Sequence, residues 1–144
     1  MKLILAELNE INFDAARFYL DKGVFLPGFK KLVDEGLVVT EAEPEYDNLE
    51  PWIQWPSVHT GKIYDEHNVF RLGDFVNSTQ SQFFEKVENA GFKVGAICPM
   101  NAANKLNNPA YFIPDPWTQT PCDNSFFSRS ISDAIVQAVN DNSQ

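Results

Sequence analysis

Polar side chains that could bind a ligand follow the first apolar run of this 144-residue sequence. The run, KLILAEL at residues 2–8, is typical of a buried parallel strand, and Asn9, Glu10 and Asn12 follow it. Ligands of open α/β sheets bind beyond the carboxyl ends of the strands, and carboxylate and amide oxygens suit hard cations. The cluster is therefore a candidate binding site. The alternative is that Asn9 and Glu10 only cap the turn into the next helix, which would not explain the whole cluster.

A second set of candidates lies in the stretch 48–74, NLEPWIQWPSVHTGKIYDEHNVFRLGD. It holds two of the three tryptophans, both histidines and two prolines. Pro51 can open a helix, because the first helical residue needs no amide donor, and Gly61 can end it in a left-handed conformation. The sequence therefore predicts a short aromatic helix of about two to three turns. Trp52 and Trp55, spaced i, i+3, can share one of its faces.

Polar residues of this predicted helix allow both catalytic and structural roles. Glu50 falls at the predicted N-cap, where a carboxylate meets the positive end of the helix dipole. We expect Ser57 to pack within the helix and His59 to be a helix histidine with its hydrogen bonds satisfied. We expect His67 to hold the following loop by a hydrogen bond to a backbone carbonyl, with a catalytic role as the alternative.

Three motifs, in the right order, resemble the alkaline phosphatase superfamily, most closely its phosphodiesterase and nucleotide pyrophosphatase branch. Residues 60–62, TGK, followed by Glu66-His67, are similar to the T-G-x-x-P-x-x-H-G signature. Residues 26–36, LPGFKKLVDEG, resemble the T-P-N-L-x-x-L-x-x-x-G helix of that branch. The end of the first predicted strand corresponds to the position of the superfamily's first metal ligand. The resemblance covers roughly residues 1–100.

The resemblance implies a three-layer α/β/α fold with a mostly parallel sheet. It also implies hydrolysis of a small-molecule phosphate or sulfate ester with bound divalent metal, Zn²⁺, Mn²⁺ or Mg²⁺. Asn9 takes the place of the family's metal-binding Asp and Glu10 that of the following Gly, so we expect both to be metal ligands. Amide and carboxylate oxygens can replace the missing Asp.

The family's nucleophile position falls on Pro51, which has no nucleophilic group. Glu50 is adjacent, and we expect it to be the catalytic carboxylate, either bridging metals or acting as a weaker nucleophile. The family takes most of its Asp and His ligands from its C-terminal half, whereas this chain has only two histidines, His59 and His67. We therefore interpret the chain as the N-terminal part of a longer enzyme, which cannot build a complete two-metal site alone.

Charge and composition exclude several classes of protein. The chain has 20 Asp and Glu against 11 Lys and Arg, a net charge of −9, so it has no basic footprint for a nucleic acid polymer. Cys98 and Cys122 do not make a disulfide framework. The N-terminus lacks the features of a signal peptide, and no apolar run is long enough to cross a membrane. We therefore expect no membrane partner and, by default, a cytoplasmic location.

The remaining pattern predicts one α/β domain over residues 1–144. Predicted helices cover 13–22, 28–36, 81–90 (capped by Ser78 or Thr79) and 125–140, and predicted strands cover 37–40, 92–98 and 111–113. Residues 41–47 and 63–68 are predicted loops. The helix at 81–90 and the strand at 92–98, as a second parallel strand, would complete a βαβ unit with an earlier strand.

Two functions follow from these residues, with a third possibility. The first is a metal-dependent, hydrolase-like domain for phosphate or sulfate esters. The second is a non-catalytic binding or assembly module, in which Trp52, Trp55 and Trp117 form an aromatic pocket for a small anion, a sugar or a protein partner. The third is a fragment that folds only with a missing C-terminal half or by self-association.

Overall fold

A computed structural model describes residues 2–142 of the chain as a mixed α/β protein with a two-stranded parallel sheet. Its helices are α1 Phe13–Asp21, α2 Pro27–Glu35, α3 Pro51–Thr60, α4 Tyr64–His67, α5 Phe83–Asn89 and α6 Phe126–Asn142. The strands are β1 Gly95–Ile97 and β2 Tyr111–Ile113. The chain divides into two compact units, one extending to Glu41 and the other beginning at Ala42. None of the described helices is long and apolar enough to cross a membrane.

The first unit is built from α1 and α2, both at predicted positions. The Asn12 side chain accepts a hydrogen bond from the Ala15 amide at 2.9 Å and so caps α1. The rings of Phe13 and Phe29 pack edge to face with their centroids 6.1 Å apart and join the two helices. Gly36, at φ 100°, ends α2 as the sequence predicts.

The strands predicted at residues 2–8 and 37–40 do not form. Neither segment has a paired strand within residues 2–142, and Ile4 and Val38 are 91% and 96% exposed. A segment that is not paired with a strand has no ladder of hydrogen bonds to stabilise its extended backbone, so β propensity alone does not make it a strand. The prediction of a buried first strand is wrong for this structure, and a three-layer architecture is not shown.

The sheet lies in the second unit and joins two strands that were predicted separately. β1 and β2 pair in parallel with Gly95 opposite Tyr111, and the connection between them is a loop without helix. The predicted βαβ unit is therefore wrong, since its first strand is absent. Parallel neighbours require a long crossover, which is here supplied by the asparagine-rich loop at 98–110. β1 is also shorter than the predicted strand at 92–98.

Two groups of buried side chains form the core of the second unit. One joins α5 to the sheet and contains Phe84, Val94, Ala96, Ala102 and Phe112. The other contains Val69, Phe75 and Ala103. The second group fixes the segment after α4 against the loop that follows β1. This segment forms one wall of a cleft at the N-terminus of α3.

Most helix positions of the second unit follow the sequence. α3 begins at Pro51 and ends before Gly61, which has φ 72°. The predicted loop at 63–68 instead contains the one-turn helix α4, because the Glu66 carboxylate accepts the Ile63 amide (3.3 Å) and caps the turn. α5 begins after Gln82 rather than after Ser78 or Thr79.

Candidate functional site

An open cleft of about 460 Å³ lies at the N-terminus of α3. Its size is within the range of small-molecule sites. One side comes from the segment that leads into α3 and from its first turn, and the other from the segment after α4. The lining residues are Tyr46, Asp47, Glu50, Trp52, Ile53, Phe70, Arg71 and Leu72.

Glu50 lies on this cleft as the N-cap of α3, as the sequence predicts. Its backbone carbonyl accepts the amides of Ile53 (2.9 Å) and Gln54 (3.0 Å), which closes the first turn. Its side chain makes no capping hydrogen bond. The exposed carboxylate is therefore available to a ligand, and the positive end of the α3 dipole stabilises its negative charge.

Trp52 forms a wall of the cleft whose orientation is fixed. Its indole Nε1–H donates to the Phe70 carbonyl oxygen at 3.2 Å. This bond spans the cleft, from the first turn of α3 to the segment after α4. It satisfies the polar atom of the indole and leaves the apolar ring as a surface for contact.

Asn101 holds the two sides of the cleft together from behind. Its side-chain amide donates to the carbonyl oxygens of Trp52 (2.7 Å) and Arg71 (3.2 Å), and its Oδ1 accepts the Gly73 amide at 2.8 Å. Asn101 is fully buried and has φ 50°, a conformation that asparagine tolerates better than most residues. The spacing of the cleft walls therefore depends on the Asn101 side chain, from the loop after β1, as well as on the bond from Trp52 to Phe70.

Asp115 in turn positions Asn101. Its Oδ2 accepts the backbone amide of Asn101 at 2.8 Å, and its Oδ1 accepts the backbone amides of Trp117 (2.9 Å) and Thr118 (3.0 Å). The carboxylate is buried, and these bonds compensate its loss of water. It is thus a structural group just beyond the carboxyl end of β2, and it does not line the cleft.

The charged groups of the cleft are two carboxylates, from Asp47 and Glu50, and one guanidinium, from Arg71. The Arg71 backbone is held at both ends, since its amide donates to Asp74 Oδ2 at 2.9 Å and its carbonyl accepts from Asn101. Among the described residues, the Arg71 guanidinium forms no ion pair, unlike that of Arg17, which pairs with Asp14 at 3.4 Å. It therefore has donors free for a ligand.

Sequence reasoning identified Glu50 but missed Arg71, Tyr46 and Asn101. Arg71 belongs to the stretch that was singled out, yet nothing in its spacing indicated a shared surface with Glu50. Asn101 lies in an asparagine-rich loop whose contacts reach 49 residues back along the chain, to Trp52. Contacts of that range carry no local sequence signal.

His67 and Ser57 form a close pair, with Nε2 and Oγ 2.9 Å apart. The Nδ1 atom of His67 accepts the Val69 amide at 3.0 Å, so the neutral ring carries its proton at Nε2 and donates it to Ser57. In this tautomer the ring cannot remove the proton of Ser57. The structural role predicted for His67 agrees with these bonds, but its partners are an amide and a hydroxyl rather than the predicted carbonyl.

The three tryptophans do not form one aromatic pocket. Trp52 lines the cleft, and Trp117 lies beside Ile135 and Val139 of α6 on another groove. Trp55 stacks on the buried His59 ring at a centroid distance of 6.0 Å. The predicted pocket of three tryptophans is therefore wrong. Trp52 and Trp55 belong to one helix but contact different neighbours, and Trp117 lies in a different groove.

Asn9 and Glu10 lie in the first unit, at the turn before α1, where Glu10 has φ 57°. Both are exposed, and Asn12 rather than either of them caps α1. Within residues 2–142, no three His, Cys, Asp or Glu side chains form a group that could hold a metal ion. The oxygen donors of the predicted site suit a hard cation, but the described residues do not assemble a complete site.

No family model, curated protein or solved structure matches this chain. Its function must therefore be inferred from the cleft and from the motifs of its own sequence.

Proposed function

We propose that this chain is the N-terminal part of a hydrolase of phosphate or sulfate esters of the alkaline phosphatase type, with Glu50 as its catalytic carboxylate. One observation carries the proposal: Glu50 is the N-cap residue of α3, beside the position of the family's nucleophile, and it lines a cleft with a carboxylate that makes no capping hydrogen bond. The three-layer α/β/α fold of that superfamily belongs to the same proposal.

The proposed metal is a divalent cation, Zn²⁺, Mn²⁺ or Mg²⁺, with Asn9 and Glu10 as ligands. When bound, such an ion activates a nucleophile and stabilises charge on an ester oxygen. The described residues do not form a group of three ligands. The proposal requires further ligands, which a C-terminal half or a second copy of the chain would supply.

The groups on the cleft define what this chain contributes to the reaction. The Arg71 guanidinium can donate two parallel hydrogen bonds to a phosphate or sulfate group. The α3 dipole favours negative charge at the same place. The Trp52 ring can hold the apolar part of the ester. In this arrangement the chain binds and orients an ester against Glu50.

Thermal unfolding with each of the three ions, over a concentration series, tests the proposed metal. We expect a saturable rise in stability, of about 2.7 kcal/mol at a hundredfold excess of ion over Kd, that is lost in Glu10→Ala. Glu50→Gln keeps the shape of the side chain and shows whether the Glu50 charge contributes. Asp133→Asn, an exposed position on α6, is the matched control and should leave the rise unchanged. The absence of a saturable shift with all three ions would exclude the metal site.

A non-catalytic binding module is the second candidate function. Two observations favour it: Pro51 occupies the nucleophile position, and the walls of the cleft are held in place by Asn101. Incubation of the chain with a chromogenic phosphate monoester and diester separates the candidates. Metal-dependent release of the chromophore that disappears in Glu50→Gln supports the hydrolase, whereas binding without release supports the module.

A further inference from the structure

We propose that the ligand of the α3 cleft carries a neutral sugar ring, which stacks on Trp52 and donates and accepts hydrogen bonds through Asp47, Glu50 and Arg71. The inference rests on the proposed function, because it names the substrate side of the same cleft. It can fail or succeed separately, since it requires neither a metal nor turnover.

The apolar part of the cleft suits the C–H face of a pyranose. Trp52, Tyr46 and Phe70 contribute aromatic rings, and Phe70 remains 48% exposed. Aromatic side chains combine a large apolar surface with few rotatable bonds, so they bind rings at a low entropic cost. The bond from the Trp52 indole to the Phe70 carbonyl fixes the orientation of this surface before a ligand arrives.

The polar part of the cleft suits vicinal hydroxyl groups. Carboxylates and the guanidinium are planar groups, each able to form two hydrogen bonds at once, as acceptors in Asp47 and Glu50 and as donors in Arg71. A hydroxyl both donates and accepts, so a diol can satisfy a carboxylate and a guanidinium together. The cleft lining contains no lysine, serine or threonine.

The charge of the cleft disfavours a ligand that is only an anion. Two carboxylates and one guanidinium leave it negative, in a chain that is itself strongly acidic. A free phosphate or sulfate ion would meet Asp47 and Glu50 as well as Arg71, and like charges at short distance repel. A nucleotide has the same disadvantage. A neutral sugar is not repelled by the two carboxylates, and an ester group attached to it can pair with Arg71.

The geometry of the cleft is set before binding. Asn101 joins the carbonyl oxygens of Trp52 and Arg71, and Asp115 fixes Asn101 in turn. A ligand therefore does not have to order these two walls. Pre-organised sites lose less conformational entropy on binding, which matters most for weak ligands such as single sugars.

Titration with methyl glycosides of mannose, galactose and N-acetylglucosamine, in the presence of EDTA, tests the inference. The readout is the indole N–H signal of Trp52 in a proton–nitrogen correlation spectrum. We expect a saturable shift with at least one glycoside and about tenfold weaker binding in Arg71→Ala. Arg129→Ala, in α6, is the matched control and should bind as the unchanged chain does, since Arg129 does not line the cleft.

Inorganic phosphate, sulfate and a nucleoside monophosphate form the second set of titrations. A saturable Trp52 shift with these anions alone would overturn the inference, as would the absence of a shift with every glycoside. Trp52→Phe, which retains an aromatic ring but lacks the indole, is followed through the backbone amide of Arg71. It separates lost stacking from misfolding, because its amide spectrum should stay dispersed while glycoside binding weakens. Glycoside binding without any metal-dependent stabilisation would leave the inference standing and remove the proposed metal chemistry.

Discussion

His67 combines burial with a hydrogen bond at each ring nitrogen, and this combination controls its protonation. Burial lowers the pKa of His67, and the nearby Lys62 also lowers it, whereas the carboxylates of Glu43 and Glu66 raise it. Protonation would place a second N–H where Nδ1 now accepts the Val69 amide. The residues directly after Val69 line the cleft, so this imidazole supports the candidate site from within the fold.

We predict that acid destabilises the protein through His67. Because the folded pKa is below the ordinary value of 6.5, the stabilisation is complete above about pH 6.5 and is lost as the pH falls through the lower folded value. NMR titration of the assigned His67 ring protons should give a midpoint below 6.5. The Val69 amide should shift at the same midpoint.

His67→Gln provides the comparison for this prediction. The variant should lose part of its stability at neutral pH, because Ser57 and Val69 lose an imidazole partner. Its unfolding midpoint should depend less on pH in the weakly acidic range than that of the unchanged chain. A His67 midpoint at or above 6.5 would contradict the assigned tautomer and the effect of burial.

The link between β2 and α6 depends on a single carboxylate. Asp123 accepts the Phe112 amide at 2.5 Å and the Ser125 amide at 2.8 Å, and it also accepts the Ser128 hydroxyl. Its own amide donates to the Phe112 carbonyl at 3.1 Å. Desolvation raises the pKa of Asp123, but the hydrogen bonds from Ser125, Ser128 and Phe112 outweigh this effect and hold it well below the ordinary range.

We predict that Asp123→Ala destabilises the second unit by about 1–2 kcal/mol, because the Phe112 amide and the Ser128 hydroxyl lose their acceptor. Urea unfolding at neutral pH measures this change. The depressed pKa means that the carboxylate stabilises the fold above its ordinary value of 3.8, and that this is lost as the pH falls further. The variant should therefore lose less stability in acid than the unchanged chain.

Asp133→Ala is the control for the Asp123 variant. It removes a carboxylate from an exposed position of α6, the helix that follows Asp123, and no described contact to β2 depends on it. Its stability should stay within about 0.5 kcal/mol of the unchanged chain. Equal losses in the two variants would show that charge on α6, rather than the Asp123 hydrogen bonds, determines stability there.

Apolar surface is distributed unevenly over the molecule. In the first unit Ala16 is the one described residue with a buried apolar side chain, and the segments at 2–8 and 37–40 expose theirs. Both segments have the composition of strands but no strand partner within residues 2–142. Exposed apolar segments are sites of chain association.

We therefore predict concentration-dependent self-association through these segments. Sedimentation velocity over a dilution series should show a species larger than one chain that decreases on dilution. Charged substitutions, Ile4→Lys together with Val38→Lys, should shift the equilibrium towards the single chain. Val58→Lys, at an exposed apolar position on α3, is the control and should not. A single species at all concentrations would contradict the prediction.

Helix ends and caps could be predicted from the sequence, because their causes are local. Pro51 and Gly61 mark the ends of α3 because ring geometry and positive φ act at single residues. The pattern of residues 13–22 places α1 in the same way, although Asn12, which caps it, was predicted to belong to the ligand-binding cluster. Glu50 was predicted at the N-cap from these signals alone, and its position is confirmed. Its catalytic role, and the metal ligands Asn9 and Glu10, stay predictions.

The tertiary structure alone decided which segments meet. The apolar runs at 2–8 and 37–40 have the composition of strands, but strands require partners, and β1 found its partner in β2. The cleft likewise depends on Asn101 contacting Trp52 and Arg71, which are 49 and 30 residues away along the chain. Backbone propensity acts within a few residues, whereas pairing and packing join distant ones, so only the folded chain reveals the surface that Glu50 shares with Arg71.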